Sequence, residues 1–138
     1  MKRFRKNRNG VTAVEFAVVA PVFLLMIFTC LEFIRVNMIR DLVKDASYFA
    51  ARNAMVPGAT AEECEEIANG ILSFMSVRSA TVTINDGNEI NDSTNLVEVR
   101  IDVPLNQNLI FLSNFAGDAV VSSTVEMKSE RYSGFFEN

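Results

Sequence analysis

From Phe16 to Leu31 the chain reads FAVVAPVFLLMIFTCL, sixteen residues without a charge. Val11 to Val14 extend the apolar run backwards past Glu15, and Phe33 and Ile34 extend it forwards past Glu32. As a helix, Val11–Ile34 reaches roughly 36 Å at about 1.5 Å per residue, enough for a hydrocarbon core of about 30 Å. The pattern then changes without a break. Residues 35–55 hold no Gly or Pro, and Val36, Ile39, Val43, Ala46 and Ala50 recur at steps of three and four, one apolar stripe. The spacing predicts one helix from about Val11 to Met55, its first half in a membrane and its second half packed on an external domain. Pro21 removes a backbone donor inside that helix and predicts a kink there. Pro57-Gly58 ends it.

Thr60-Ala-Glu-Glu63 is a capping box that opens a second helix, about 61–76, with Cys64, Ile67, Ala68, Ile71, Leu72 and Met75 on its apolar face. Beyond it the period falls to two. Thr81–Ile84 alternates. In Leu96–Val103 the residues Val97, Val99, Ile101 and Val103 face one way, and Glu98, Arg100 and Asp102 the other. In a weaker third run, Val121, Val125 and Met127 oppose Ser122, Thr124, Glu126 and Lys128. These read as strands of an antiparallel sheet with one wet face. Asn85–Asn95 is a polar, turn-rich loop. Residues 104–118 form a long connection with an apolar centre, Leu109–Leu112, that fits a fourth short strand, a buried loop or a docking surface. The tail from Tyr132, with Phe135 and Phe136, carries no clear pattern. The fold class is therefore α+β: a long N-terminal transmembrane helix continuing into a domain with a second helix and a three- to four-stranded antiparallel sheet.

Charge sharpens this division. The first ten residues carry Lys2, Arg3, Arg5, Lys6 and Arg8 and no acid, whereas the whole chain has a net charge of −4, leaving −9 for the remainder. A basic end before an apolar span places the N-terminus in the cytoplasm and the following domain outside. An acidic body argues against nucleic-acid binding. There is no histidine, hence neither the commonest general base nor the commonest metal ligand. No phosphate loop or nucleophile motif is present, so no enzyme activity and no cofactor are implied. The acids of the 85–95 loop lack EF-hand spacing, and no metal site is expected there. Cys30 and Cys64 lack metal-ligand spacing. On continuous helix they would lie about 50 Å apart, far beyond the roughly 7 Å Cα separation that a disulfide spans. Cys64 reads as a small core residue.

Three N-terminal signals share a basic-then-apolar pattern. A secretory signal needs small residues after the apolar run, but the sequence there is LEFIRVNM. A lipoprotein signal needs a small residue before its cysteine, and Cys30 follows Phe28 and Thr29. The third kind is cut before the apolar run. Cleavage between Gly10 and Val11 would place Glu15 fifth in the mature chain and create an α-amine on Val11, mostly positive at neutral pH. A carboxylate and an amine in an apolar medium attract strongly, and between neighbouring subunits that pair would set axial register. The other reading of Glu15 is a charge at headgroup level.

The stretch Gly10-Val-Thr-Ala-Val-Glu15-Phe16 resembles the prepilin cleavage motif. Val14 to Arg35 resembles the TadE-like family of minor pseudopilins, through Val14-Glu15-Phe16-Ala17, Pro21, a Leu-rich run and a second Glu-Phe at Glu32-Phe33. The resemblance continues to Ala46, Ala50, Ala51 and Arg52 and covers about residues 10–54. It implies a prepilin leader (1–10) removed by a membrane-bound prepilin peptidase, a transmembrane segment (11–34) and an extracytoplasmic domain (35–138). It also implies an accessory role in a tight-adherence (Flp-type) pilus, since the major pilins are much shorter. The D-x-S-x-S adhesion motif of a larger relative is absent from this sequence. The expected partners are the prepilin peptidase, other pilin or pseudopilin subunits through the N-terminal helix, the inner-membrane assembly platform and the lipid bilayer. The alternative is an uncleaved single-span protein that scaffolds a pilus or secretion complex.

Overall fold

The computed structural model describes residues 9–91 and 94–129. Most of the basic leader, and the tail with Phe135 and Phe136, lie outside the described residues. The first helix, α1, runs Asn9–Ala54, 46 residues or about 69 Å, unbroken through Pro21. Its two halves differ in burial, and the stripe of the second half is the buried face. Between Gly10 and Leu31 almost every side chain is exposed, and from Ile39 onward one face is buried. Gly58, at φ +88°, takes the left-handed conformation that turns the chain back after Pro57.

The second helix, α2, spans Ala61–Ser73 and opens with both halves of the capping box. The Thr60 hydroxyl accepts from the Glu63 N–H at 3.2 Å, and the Glu63 carboxylate accepts from the Thr60 N–H at 3.4 Å. It ends before the predicted residue 76 because its last turn closes as a Schellman motif. The Val77 N–H reaches the Leu72 carbonyl (3.3 Å), the Ser76 N–H reaches that of Ser73 (3.0 Å), and Ser76 sits at φ +51°.

Strands β1 (Thr81–Ile84), β2 (Leu96–Pro104) and β3 (Val120–Lys128) form an antiparallel meander in that order. The register brings Val82 opposite Ile101, Ile84 opposite Val99, Val125 opposite Val99 and Val121 opposite Val103, so the apolar residues of all three strands share one face. That face packs on α1, where Ile39, Val43, Ala46 and Ala50 are fully buried with Val97, Val99, Ile101 and Val103. Ser123 occupies an inward position of β3. Its hydroxyl lies 2.8 Å from that of Ser47 on α1, which also contacts the Lys44 carbonyl. A hydroxyl has one proton, so with Ser47 donating to Lys44, Ser123 is the donor between the two serines. The α2 face of Cys64, Ala68 and Leu72 closes the same core, with small residues Ala51 and Ala54 on α1 leaving room for close approach. Residues 105–119 contain no strand. They form two short 3-10 turns, η1 (Leu105–Gln107) and η2 (Ser113–Phe115), with the apolar centre between them.

The capping box makes a quantitative prediction. Thr60→Ala leaves the α2 N-terminus without its side-chain acceptor and should lower stability by about 1 kcal/mol in thermal unfolding of the full chain in detergent micelles. An unchanged midpoint would mean that packing of α2 alone fixes its start.

Candidate functional site

Every residue singled out by the N-terminal pattern lies on α1. Gly10, Val11, Val14, Glu15, Phe16 and Pro21 are exposed on the bare half of the helix. The second Glu-Phe pair splits: successive helical residues point about 100° apart, so Phe33 is exposed while Glu32 is only 3% exposed. The structure therefore brings Glu32 alone of these residues into a polar constellation.

That constellation is built by the 104–118 connection. Glu32 Oε1 accepts the backbone N–H groups of three successive residues, Ile110 (2.9 Å), Phe111 and Leu112 (2.9 Å). Successive N–H groups converging on one anion form a backbone nest, with the anion supplied by the helix. Glu32 Oε2 is buried and has no hydrogen-bond partner among the described residues. One turn further along α1, the Arg35 Nε donates to the Asn108 carbonyl. Asn108, itself buried, ties the same loop to the segment after α2. Its Nδ2 donates to the carbonyls of Arg78 (2.9 Å) and Pro104 (2.7 Å), and its Oδ1 accepts the Arg78 N–H (2.8 Å). One turn before Glu32, the Phe28 ring packs against that of Phe111 with centroids 4.6 Å apart. Pro21, Leu24, Leu25, Phe28 and Thr29 on α1 and Phe111 and Leu112 on the loop line an apolar groove of about 390 Å³.

Magnitudes explain why a carboxylate is tolerated here. A charge inside an apolar span costs about 2.5–3.5 kcal/mol at mid-depth and less near the edge. A hydrogen bond to a charged group contributes about 1.5–3 kcal/mol, so three of them offset a cost of that size, against which the unpartnered Oε2 adds back about 1–3 kcal/mol. The joint fixes the 104–118 loop to the helix at the edge of its apolar half.

The sequence singles out Glu32 and the 104–118 connection but does not join them, and it does not single out Arg35 or Asn108. A glutamate in an apolar run signals that donors must exist. Backbone donors, however, leave no mark in the residues that supply them.

Loss of the carboxylate should therefore be local. In Glu32→Ala the amides of residues 110–112 should exchange with solvent about tenfold faster or more, since each loses a bond of about 1.5 kcal/mol or more, while β2 amides keep their protection. Unchanged exchange at 110–112 would mean that Asn108 and the Phe28–Phe111 contact hold the loop unaided.

The comparisons with known proteins fall on this helix. Residues 10–52 match the family described as TadE-like protein. No curated protein and no solved structure matches the chain. The match starts at Gly10 and runs past both Glu15 and Glu32, while α2 and the sheet lie beyond it. The likeness to TadE-like proteins thus runs along nearly the whole of the long N-terminal helix and covers a little under a third of the chain.

Proposed function

We propose that the protein is a minor pseudopilin, an accessory subunit in the assembly of a tight-adherence (Flp-type) pilus. TadE-like proteins are associated with that pilus, and the match over residues 10–52 is the observation that carries the reading. The physical form of α1 supports it. The helix is long and apolar enough to cross a membrane, and its most apolar stretch is almost entirely unburied within the chain. Such a surface needs lipid before assembly and other helices after it. The role is structural rather than catalytic.

In this reading a prepilin peptidase cuts between Gly10 and Val11. The bond lies in the first turn of α1, where the leading N–H groups have no intrahelical acceptor and the helix frays readily. The new amine on Val11 and the Glu15 carboxylate of a neighbouring subunit set axial register. The mature chain spans the cytoplasmic membrane once, with its N-terminus inside and residues 35–138 outside, in contact with the assembly platform and other pilin subunits.

The mass of the protein recovered from its native membrane, measured beside a Gly10→Ala form, tests this. A mature chain beginning at Val11, absent from the variant, is the expected result. A chain still beginning at Met1 would favour an uncleaved scaffold of the assembly complex and leave Glu15 without its amine.

A further inference from the structure

We propose that the loop tip Leu109–Leu112 is a second membrane contact, inserted beside α1 into the outer layer of the bilayer with lipid as its occupant. The inference rests on α1 being the membrane span, and it adds a monotopic element to that span.

Depth is the first argument. A span needs about 20 residues, and any 20-residue window taken from Val11–Ile34 contains residues 15–30, Phe28 among them. Counting 1.5 Å per residue, Phe28 lies about 3–9 Å inside the outer boundary of the apolar core. The Phe111 ring sits 4.6 Å from the Phe28 ring and so lies within that distance of its depth. Whatever surrounds Phe28 surrounds the tip of this loop, and the depth matches that at which interfacial apolar groups lie.

Exposure is the second. Ile110 is 62% exposed and Phe111 50%, although both are large and apolar and belong to the folded domain. They continue the bare apolar surface of α1 rather than forming an isolated patch. The groove between helix and loop, about 390 Å³, is lined almost wholly by apolar side chains, which match the chemistry of an acyl chain.

The third argument is the backbone. A backbone N–H left open to lipid costs several kcal/mol, so a loop tip at the edge of the apolar core needs its donors taken up within the protein. Five successive N–H groups at this tip have such partners. Asn108 and Leu109 donate to the Leu105 carbonyl, and Ile110, Phe111 and Leu112 donate to Glu32. Glu32 thus takes up the donors that a loop entering lipid could not leave open, and the tip presents side chains rather than N–H groups.

The chain contains no tryptophan, so a single introduced indole reports its own surroundings. Full chains carrying Phe111→Trp or Ile110→Trp would be reconstituted in phosphatidylcholine vesicles with bromine at both upper and lower positions of the acyl chains. Phe23→Trp, on the exposed span, and Phe74→Trp, at the end of α2, serve as references. The proposal expects both loop indoles to lose emission with the Phe23 reporter, while the Phe74 reporter keeps its emission. Quenching of the Phe23 reporter alone would overturn it. A blue-shifted but unquenched loop indole would equally do so, showing a protein partner on the tip. An unquenched Phe23 reporter would remove the spanning helix itself, and with it this inference, by a separate signature.

Discussion

A carboxylate placed in an apolar stretch of helix must find donors, and at Glu32 three successive backbone amides of a distant loop meet on one of its oxygens. The pairing joins residues about eighty positions apart and fixes the middle of the 104–118 connection, whose ends are held by the strands and by the Leu105 N–H on the Ala119 carbonyl. Arg35 and Asn108 add a second tie one turn along the helix, and Phe28 adds an apolar one a turn before. Together they clamp the domain to α1 where the helix changes from bare to buried. The apolar half then leaves the domain with its direction set by more than the continuity of a single helix.

The rest of the fold serves the same helix. From Ile39 to Ala54 the inward positions of α1 hold small or β-branched residues, Ile39, Val43, Ala46, Ser47, Ala50, Ala51 and Ala54, all buried. They let the sheet on one side and α2 on the other approach closely, so a small domain acquires a dense core around one central element. The N-terminal half of α1 keeps large apolar residues exposed around the helix, the surface that the proposed contact with lipid or with other helices would need.

Much of this was legible in the chain because periodicity reports burial. The stripe Ile39–Ala50, the capping box at Thr60 and the alternation of β2 each specify an element and the face it buries. The third strand was fainter because Ser123 stands where an apolar residue would continue the stripe, and only the Ser47 hydroxyl makes a polar group acceptable there. The end of α2 was blurred because Ser76 adopts the left-handed turn that glycine usually signals. The 104–118 connection left three readings open, of which the strand is excluded by its 3-10 turns. Its real constraint, N–H groups directed at a helix carboxylate, is made of backbone and has no residue signature. The Gly10, Val11 and Glu15 pattern is legible as chemistry, yet the partners proposed for it lie on other molecules.

The central claim is that Glu32 clamps the loop to the helix, and a distance distribution across that joint tests it most directly. Spin labels at Asn114→Cys on the loop and Asp45→Cys on α1, in a Cys30→Ser background that leaves only buried Cys64, would report the loop's position relative to the helix by electron–electron resonance. Along the axis, Asp45 lies about 20 Å from Glu32, a separation suited to the method. A narrow distribution that broadens when Glu32→Ala is added is the predicted result. Equal widths with and without the carboxylate would contradict the account and place the control of the loop elsewhere.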